Sequence, residues 1–247
     1  MSTFAPAGWT RPAIPQSRFA DRMARAQAGA RARGVEALLI GVGPDLAYQA
    51  GYAAMPLERL TMLVVPASGP VTLVVPRLEA SPAQGCPAAA GGHVAVATWE
   101  ETEDPVACVA RLLSAKVERL AVSDRLWSIH LLHFQAALPA ASFEPASLVL
   151  RDLRIIKDDD EIALLRLAAE AADRVIHEVA HGRLVGRTEE DVAREIRDRL
   201  IVEGHDSAEF AIVGSGPNSA SPHHEPSDRV IRAGEPIVLD IGGPFGG

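Results

Sequence analysis

The chain has 247 residues, of which 48% are hydrophobic and 23% are charged, as is typical of a globular protein in water. Its formal net charge of −8 argues against a nucleic-acid partner, because a groove for nucleic acid needs lysine and arginine to neutralise phosphates. No apolar run is long enough to cross a membrane, and the N-terminus lacks the apolar core of a secretory signal, so we expect no membrane partner.

The first part of the chain alternates between strand and helix patterns. Residues 1–14 show little periodicity and predict a flexible lead-in. A helix is predicted from Phe19 to Arg33, with Gly34 ending it. Strands are predicted at 37–42, 61–66, 71–76, 93–99 and 119–123, and further helices at 105–115 and 125–138. One hairpin within this alternation indicates a mixed α/β domain over residues 15–152.

Residues 153–247 show longer helices followed by strands. A long helix is predicted to begin near Asp158, where an acidic run suits the positive end of the helix dipole and needs no metal. Thr188 is predicted to cap a second helix that reaches about Glu203. Strands are predicted at 210–214 and 236–242. The predicted buried face of the long helix consists of Ile162, Leu165, Ala169, Ala172, Ile176 and Val179.

Two patterns in the first region suggest binding sites only weakly. Gly41 and Gly43 follow a strand as in a dinucleotide-binding turn, but the third glycine is missing and Pro44 favours a plain turn. His130 and His133 share a face of a predicted helix and could bind a metal, yet no nearby cysteine or carboxylate pair completes a site. We interpret these histidines as packed or surface residues.

The cysteine content bears on the cellular compartment. Cys86 and Cys108 are the only cysteines, and so low a count favours two buried thiols over a disulfide. We therefore expect a cytoplasmic protein.

The last thirty or so residues combine histidines with a carboxylate that ends an apolar run. Burying the carboxylate of Asp240 would be costly without strong donors or a cation. His223 precedes it across a turn near residues 232–234, so two paired strands could bring the imidazole near the carboxylate. From spacing alone, an exposed histidine pair with a turn-capping Asp240 is an equal alternative.

These segments, taken in order, resemble the M24 "pita-bread" metallopeptidases. That family contains aminopeptidase P, prolidase and Xaa-Pro dipeptidases, with methionine aminopeptidase and creatinase as more distant members. The resemblance to its catalytic domain lies in LRIIKDDDEIALLRLAAEAAD, VGRTEEDVAREI, FAIVGSGPNSASPHHEP and PIVLDIGG. The resemblance to its creatinase/prolidase-type N-terminal domain lies in DLAYQAGY, ERLTMLVVP and VTLVVPRLE. The implied fold is an α/β N-terminal domain followed by the first part, residues 153–247, of a pita-bread α+β catalytic domain.

The resemblance assigns roles to three residues. Asp240 falls on the family's first metal-ligand position, and His223 falls on the catalytic histidine that hydrogen-bonds the substrate or the tetrahedral intermediate. His224 takes a place often held by tyrosine and is a weaker candidate for substrate binding. The implied cofactors are two divalent ions, Mn²⁺ or Co²⁺, which lower the pKa of a bridging water. The implied partners are a peptide with proline after the cleaved bond and a second copy of the chain.

The chain departs from the family pattern at its end. The family's second aspartate, its further histidine and its two glutamates would all fall beyond Gly247. We therefore expect a C-terminally truncated member that is inactive alone, whereas its parent hydrolyses Xaa-Pro bonds. The alternatives are a non-catalytic binding module of the same fold and a creatinase-like amidinohydrolase.

Overall fold

A computed structural model describes residues 12–246, which form two compact units. The N-terminal unit comprises residues 15–157, and the C-terminal unit comprises residues 158–246 together with 12–14. Most of the predicted lead-in, residues 1–11, lies outside the described residues. Each unit has its own packed core, so each is described by itself.

The N-terminal unit is built on a six-stranded mixed sheet. Its strands are β1 (Ala37–Gly41), β2 (Met62–Pro66), β3 (Thr72–Pro76), β4 (Ala95–Trp99), β5 (Arg119–Val122) and β6 (Ser142–Pro145). They lie side by side in the order β4-β3-β2-β1-β5-β6. Its helices are α1 (Gln16–Arg33), α2 (Pro44–Ala50), α3 (Ala80–Gly85), α4 (Pro87–Ala90), α5 (Pro105–Ala110), α6 (Ser128–Ala137) and α7 (Ser147–Ile155). The predicted hairpin of β2 and β3 is confirmed as an antiparallel pair, and β1 pairs in parallel with β5.

Apolar periodicity accounts for the packing of this unit. The predicted inner face of α1, made of Phe19, Met23, Ala26 and Ala30, is buried throughout. Gly34 ends that helix in the left-handed conformation at φ 69°, which glycine adopts without strain. All five residues of β1 are buried, as expected for a strand at the centre of a covered sheet.

The plain turn predicted after β1 is wrong. Helix α2 begins at Pro44, because the fixed φ of proline suits the first helical position and Asp45 in the first turn suits the helix dipole. Gly43 precedes it at φ 148°, a backbone conformation that other residues rarely adopt. The prediction of two free thiols is confirmed, and Cys86 is buried as predicted, but Cys108 is only partly buried.

The C-terminal unit packs two helices against a two-stranded sheet. Its elements are α8 (Asp159–Ala180), α9 (Glu189–Val202), β7 (Phe210–Ser215) and β8 (Ile237–Gly242). The strands pair antiparallel, and their inner residues form a core with α8 and α9. The helix start predicted near Asp158 and the predicted cap at Thr188 are both confirmed, and the structure shows that each side chain accepts a backbone hydrogen bond from the first turn of its helix.

The predicted buried face of α8 is largely wrong. Ile162 is 38% exposed and Leu165 is 54% exposed, whereas Leu164, Ala171 and Val175 are buried along with the correctly predicted Val179. Leucine and alanine occur on several sides of this helix, so its sequence contains two overlapping apolar stripes and the core selects one of them. None of the helices over residues 12–246 is both long and apolar enough to span a membrane.

Candidate functional site

The predicted metal ligand Asp240 lies on the exposed face of β8. Burial alternates along this strand, with Ile237, Leu239 and Ile241 directed to the core and Asp240 on the opposite face. In the antiparallel ladder Asp240 stands opposite Ile212. The strand continues to Gly242, so Asp240 lies within it rather than at its end. The carboxylate is therefore solvated, and the expected cost of burying it does not arise.

The predicted catalytic residue His223 is also exposed. It lies in the segment between β7 and β8, after a short 3₁₀ turn at Gly216–Ala220. No hydrogen bond or ion pair joins His223 to Asp240 within the part of the chain that the structure describes. Both side chains are therefore accessible, but the structure shows no direct contact between them.

His224 is held by a buried glutamate that the sequence reasoning missed. Its Nε2 lies 2.8 Å from Oε2 of Glu189, the first residue of α9. Glu189 has no exposed surface, whereas the His224 side chain keeps 18% of its exposure. Because the other partner is a carboxylate, this ring nitrogen carries the proton and donates. One edge of the His224 ring is thus engaged by the protein.

The carboxylate of Glu189 accepts seven hydrogen bonds, all from the segment 215–227. Oε1 accepts from the backbone N and Oγ of Ser215 at 2.7 and 2.8 Å. Oε2 accepts from His224 and from Oγ of Ser227 at 2.7 Å and its backbone N at 3.3 Å. The side-chain amide of Asn218 lies 3.1 Å from both oxygens. We call Glu189 and these four donor residues the Glu189 network.

These donors determine the charge of Glu189. Burial by itself raises the pKa of this carboxyl, but hydrogen bonds from His224, Ser227 and Ser215 outweigh it and hold the pKa well below its ordinary value. Glu189 is therefore ionised over the whole physiological pH range.

A second ion pair extends the Glu189 network to the approach of β8. Arg229 donates to both oxygens of Glu235, at 2.8 and 2.5 Å, and also donates to Oγ of Ser215 at 2.6 Å. Ser215 thus accepts from Arg229 while its hydroxyl donates to Glu189. Continuous hydrogen bonding therefore links the start of α9, the end of β7 and the segment that leads into β8.

No local feature of the sequence distinguishes Glu189 from its acidic neighbours. The stretch TEED contains three acidic residues in the first turn of α9, and the helix dipole accounts for all three. Glu190 is exposed whereas Glu189 is buried. Only the packing of α9 beside β7 makes Glu189 differ from Glu190, and no pattern in the neighbouring sequence predicts that packing.

Within residues 12–246, no group of three or more histidine, cysteine, aspartate or glutamate side chains could hold a metal ion. Asp240 supplies one candidate ligand, so the residues present do not by themselves fit a two-metal site. His130 stacks on Trp127 with ring centroids 6.2 Å apart, and burial followed by the neighbouring His133 lowers its pKa. These two histidines lie on α6 and belong to no such group.

Comparisons with known proteins agree with this architecture. Residues 163–247 match Metallopeptidase family M24, and residues 22–156 match the Creatinase/Prolidase N-terminal domain. The chain is 41% identical over 228 residues to a protein named "Probable dipeptidase PepE" from Mycobacterium tuberculosis, a match that covers 92% of this chain and 60% of the relative.

Two solved structures share the fold. Dipeptidase PepE from Mycobacterium ulcerans is 40% identical with a TM-score of 0.86, over 94% of this chain and 62% of that one. Recombinant prolidase from Thermococcus sibiricus is 31% identical with a TM-score of 0.83, over 94% of this chain and 63% of that one. The chain thus spans less than two thirds of the length of these relatives. Within that span it has both family domains in order, and it therefore belongs to metallopeptidase family M24, with a creatinase/prolidase N-terminal domain ahead of part of the peptidase domain.

Proposed function

We propose that the full-length protein is a metal-dependent peptidase that hydrolyses the bond before proline, as a dipeptidase or an aminopeptidase. The supporting observation is the 31% identity to a solved prolidase over 94% of this chain. The relatives named as PepE dipeptidases support peptide hydrolysis without specifying proline. An Xaa-Pro bond is a tertiary amide without an N–H, so its hydrolysis needs a pocket shaped for the ring.

Asp240 and His223 are the residues of this chain to which we assign roles. Asp240 would be one ligand of a divalent-metal pair, with Mn²⁺ or Co²⁺ as the ions, and its exposed carboxylate on β8 is accessible to a cation. His223 would donate a hydrogen bond to the oxygen that becomes negatively charged during attack on the carbonyl. His224 is proposed to contact substrate only through the part of its ring that Glu189 leaves accessible.

The remaining assignments concern assembly and compartment. We propose a homodimer in the cytoplasm, where the two thiols at Cys86 and Cys108 would stay reduced. The 247-residue chain alone would not hydrolyse peptides, because it offers one candidate metal ligand among its described residues.

The test begins by sequencing the gene beyond codon 247 and expressing its full product. With Mn²⁺ added, we expect cleavage of Ala-Pro and no comparable cleavage of Ala-Ala, and chelation should abolish it. The Asp240→Asn variant should bind metal more weakly and lose activity. Equal cleavage of both dipeptides would indicate a general dipeptidase, and cleavage of neither would favour a binding module.

A further inference from the structure

The Glu189 network holds the segment that contains His223, the predicted catalytic histidine. Every hydrogen bond to the Glu189 side chain comes from residues 215–227, the segment that contains His223. None comes from α8 or from the apolar core of the unit. A buried carboxylate is a costly way to stabilise a fold, and well-packed apolar groups of the same size often do so at least as well. The contacts of Glu189 are instead concentrated on one irregular segment.

The backbone at the start of α9 holds the same region from a second side. The amide of Glu189 donates to the carbonyl of Arg229 at 3.1 Å, and that of Glu190 donates to Ser227 at 3.0 Å. Thr188 forms an isolated antiparallel bridge with Val230. The segment on either side of Ser227 is thus fixed to α9 by both main chain and side chain.

The position of Glu189 relates His223 to Asp240. Its Oε1 binds Ser215, the last residue of β7, and β7 pairs with the strand that bears Asp240. Its Oε2 binds His224, which is adjacent to His223 in the chain, so their Cα atoms are about 3.8 Å apart. A change at this carboxylate would therefore shift His223 relative to β8.

We propose that Glu189 is a positioning residue, whose carboxylate holds the segment 215–227 so that His223 keeps a fixed position relative to β8, the strand that carries Asp240. Glu189 touches no substrate in this scheme and acts through His224, Ser215, Asn218 and Ser227. The proposal rests on the proposed function in one respect, namely that His223 acts at the scissile carbonyl.

The main test compares Glu189→Gln with the matched variant Glu195→Gln in the full-length gene product. Glutamine keeps the size of the side chain but puts an NH₂ group where one carboxylate oxygen accepted hydrogen bonds. Glu195 lies on the same helix and is paired with Arg187 and Arg199, at 2.5 and 2.8 Å, without contact to residues 215–227. We expect Glu189→Gln to lower kcat by about 10²-fold with little change in KM, as misplacement of a reacting group does. Glu195→Gln should leave both constants unchanged.

A second readout does not depend on activity. Amide hydrogen exchange at Ser215 and Ser227, whose N–H groups donate to Glu189, should quicken in Glu189→Gln and not in Glu195→Gln. Should Glu189→Gln fail to fold, Ser227→Ala removes a single hydroxyl donor and should show the same pattern with a smaller loss of kcat.

The outcomes separate this inference from the proposed function. If the wild-type product cleaves Ala-Pro and a folded Glu189→Gln variant matches it in kcat, the positioning role is refuted and the proposed function stands. If activity returns in full at a temperature where the variant is as folded as wild type, Glu189 is only structural and the inference also fails. If the wild type cleaves no Xaa-Pro peptide, the proposed function fails, while faster exchange confined to 215–227 still supports the hold of Glu189 on that segment.

Discussion

The central strand of the N-terminal sheet and the second strand of the C-terminal sheet use their faces differently. All five residues of β1 are buried, so apolar packing on both sides fixes the strand. Burial alternates along β8, and one of its faces carries the exposed Asp240. The accessible face offers a place for a reaction, but apolar packing does not fix the segment 215–227 that contains His223. Buried hydrogen bonds around Glu189 fix that segment instead.

Truncating a central side chain should produce the largest change in stability. Leu39 has no exposed surface and belongs to the main core of the N-terminal unit, so Leu39→Ala should lower the free energy of unfolding by about 2–5 kcal/mol. Urea denaturation measures this loss. The control is Leu132→Ala on α6, where the leucine is 58% exposed and the loss should stay within about 0.5 kcal/mol. Similar losses in the two variants would mean that apolar packing does not govern this sheet.

Lowering the pH should destabilise the segment 215–227 before it destabilises β1. The folded-state pKa of Glu189 lies below its unfolded value of about 4.3, so the stability it contributes is complete above that pH and declines as the pH falls towards the folded pKa. Asp191, Glu195 and Glu235 of the same unit also have lowered pKa values and act in the same direction.

Hydrogen exchange from pH 6 down to about pH 3 tests this order. The amides of Ser215 and Ser227 should lose protection earlier than those of β1, and Glu189→Gln should weaken that pH dependence. A segment 215–227 that keeps its protection in acid as long as β1 does would rule out an important role for the Glu189 charge.

The cap of α9 should have a smaller effect. Oγ1 of Thr188 accepts a hydrogen bond from the backbone N of Asp191 at 3.1 Å, so Thr188→Ala should cost about 1 kcal/mol. Thr188→Ser retains the hydroxyl and should recover most of that loss in urea denaturation. If serine and alanine prove equally destabilising, the methyl group of Thr188 matters rather than its capping oxygen.

Local rules predicted much of the fold because they act over a few residues. The apolar stripe of α1, the hairpin of β2 and β3, the start of α8 near Asp158 and the cap at Thr188 all depend on near neighbours in sequence. Long-range packing decided the rest. The sequence of α8 allows two apolar stripes, and the core formed with α9 and the two strands selected the one through Val175.

The candidate site was predictable only in part, for the same reason. Asp240 and His223 stood out by resemblance to family motifs, and the structure places both on accessible surface without joining them. Glu189 was hidden among three acidic residues that helix-capping rules explain equally well. Its burial depends on the approach of Ser215 and His224, which are 26 and 35 residues away along the chain.

The smallest expected effect on stability belongs to Asp240. Its carboxylate is exposed, so Asp240→Asn should change the free energy of unfolding by no more than about 0.5 kcal/mol. Leu239→Ala, one residue away on the packed face, should cost several times more because Leu239 packs against the core of the C-terminal unit. Urea denaturation of both variants measures the two losses in the free energy of unfolding, which can then be compared. A metal ligand is expected to contribute little to stability and yet to be required for metal-dependent hydrolysis. Were Asp240→Asn as damaging to stability as Leu239→Ala, Asp240 would be a structural residue, and the assignment of β8 as a metal-bearing strand would lose its basis.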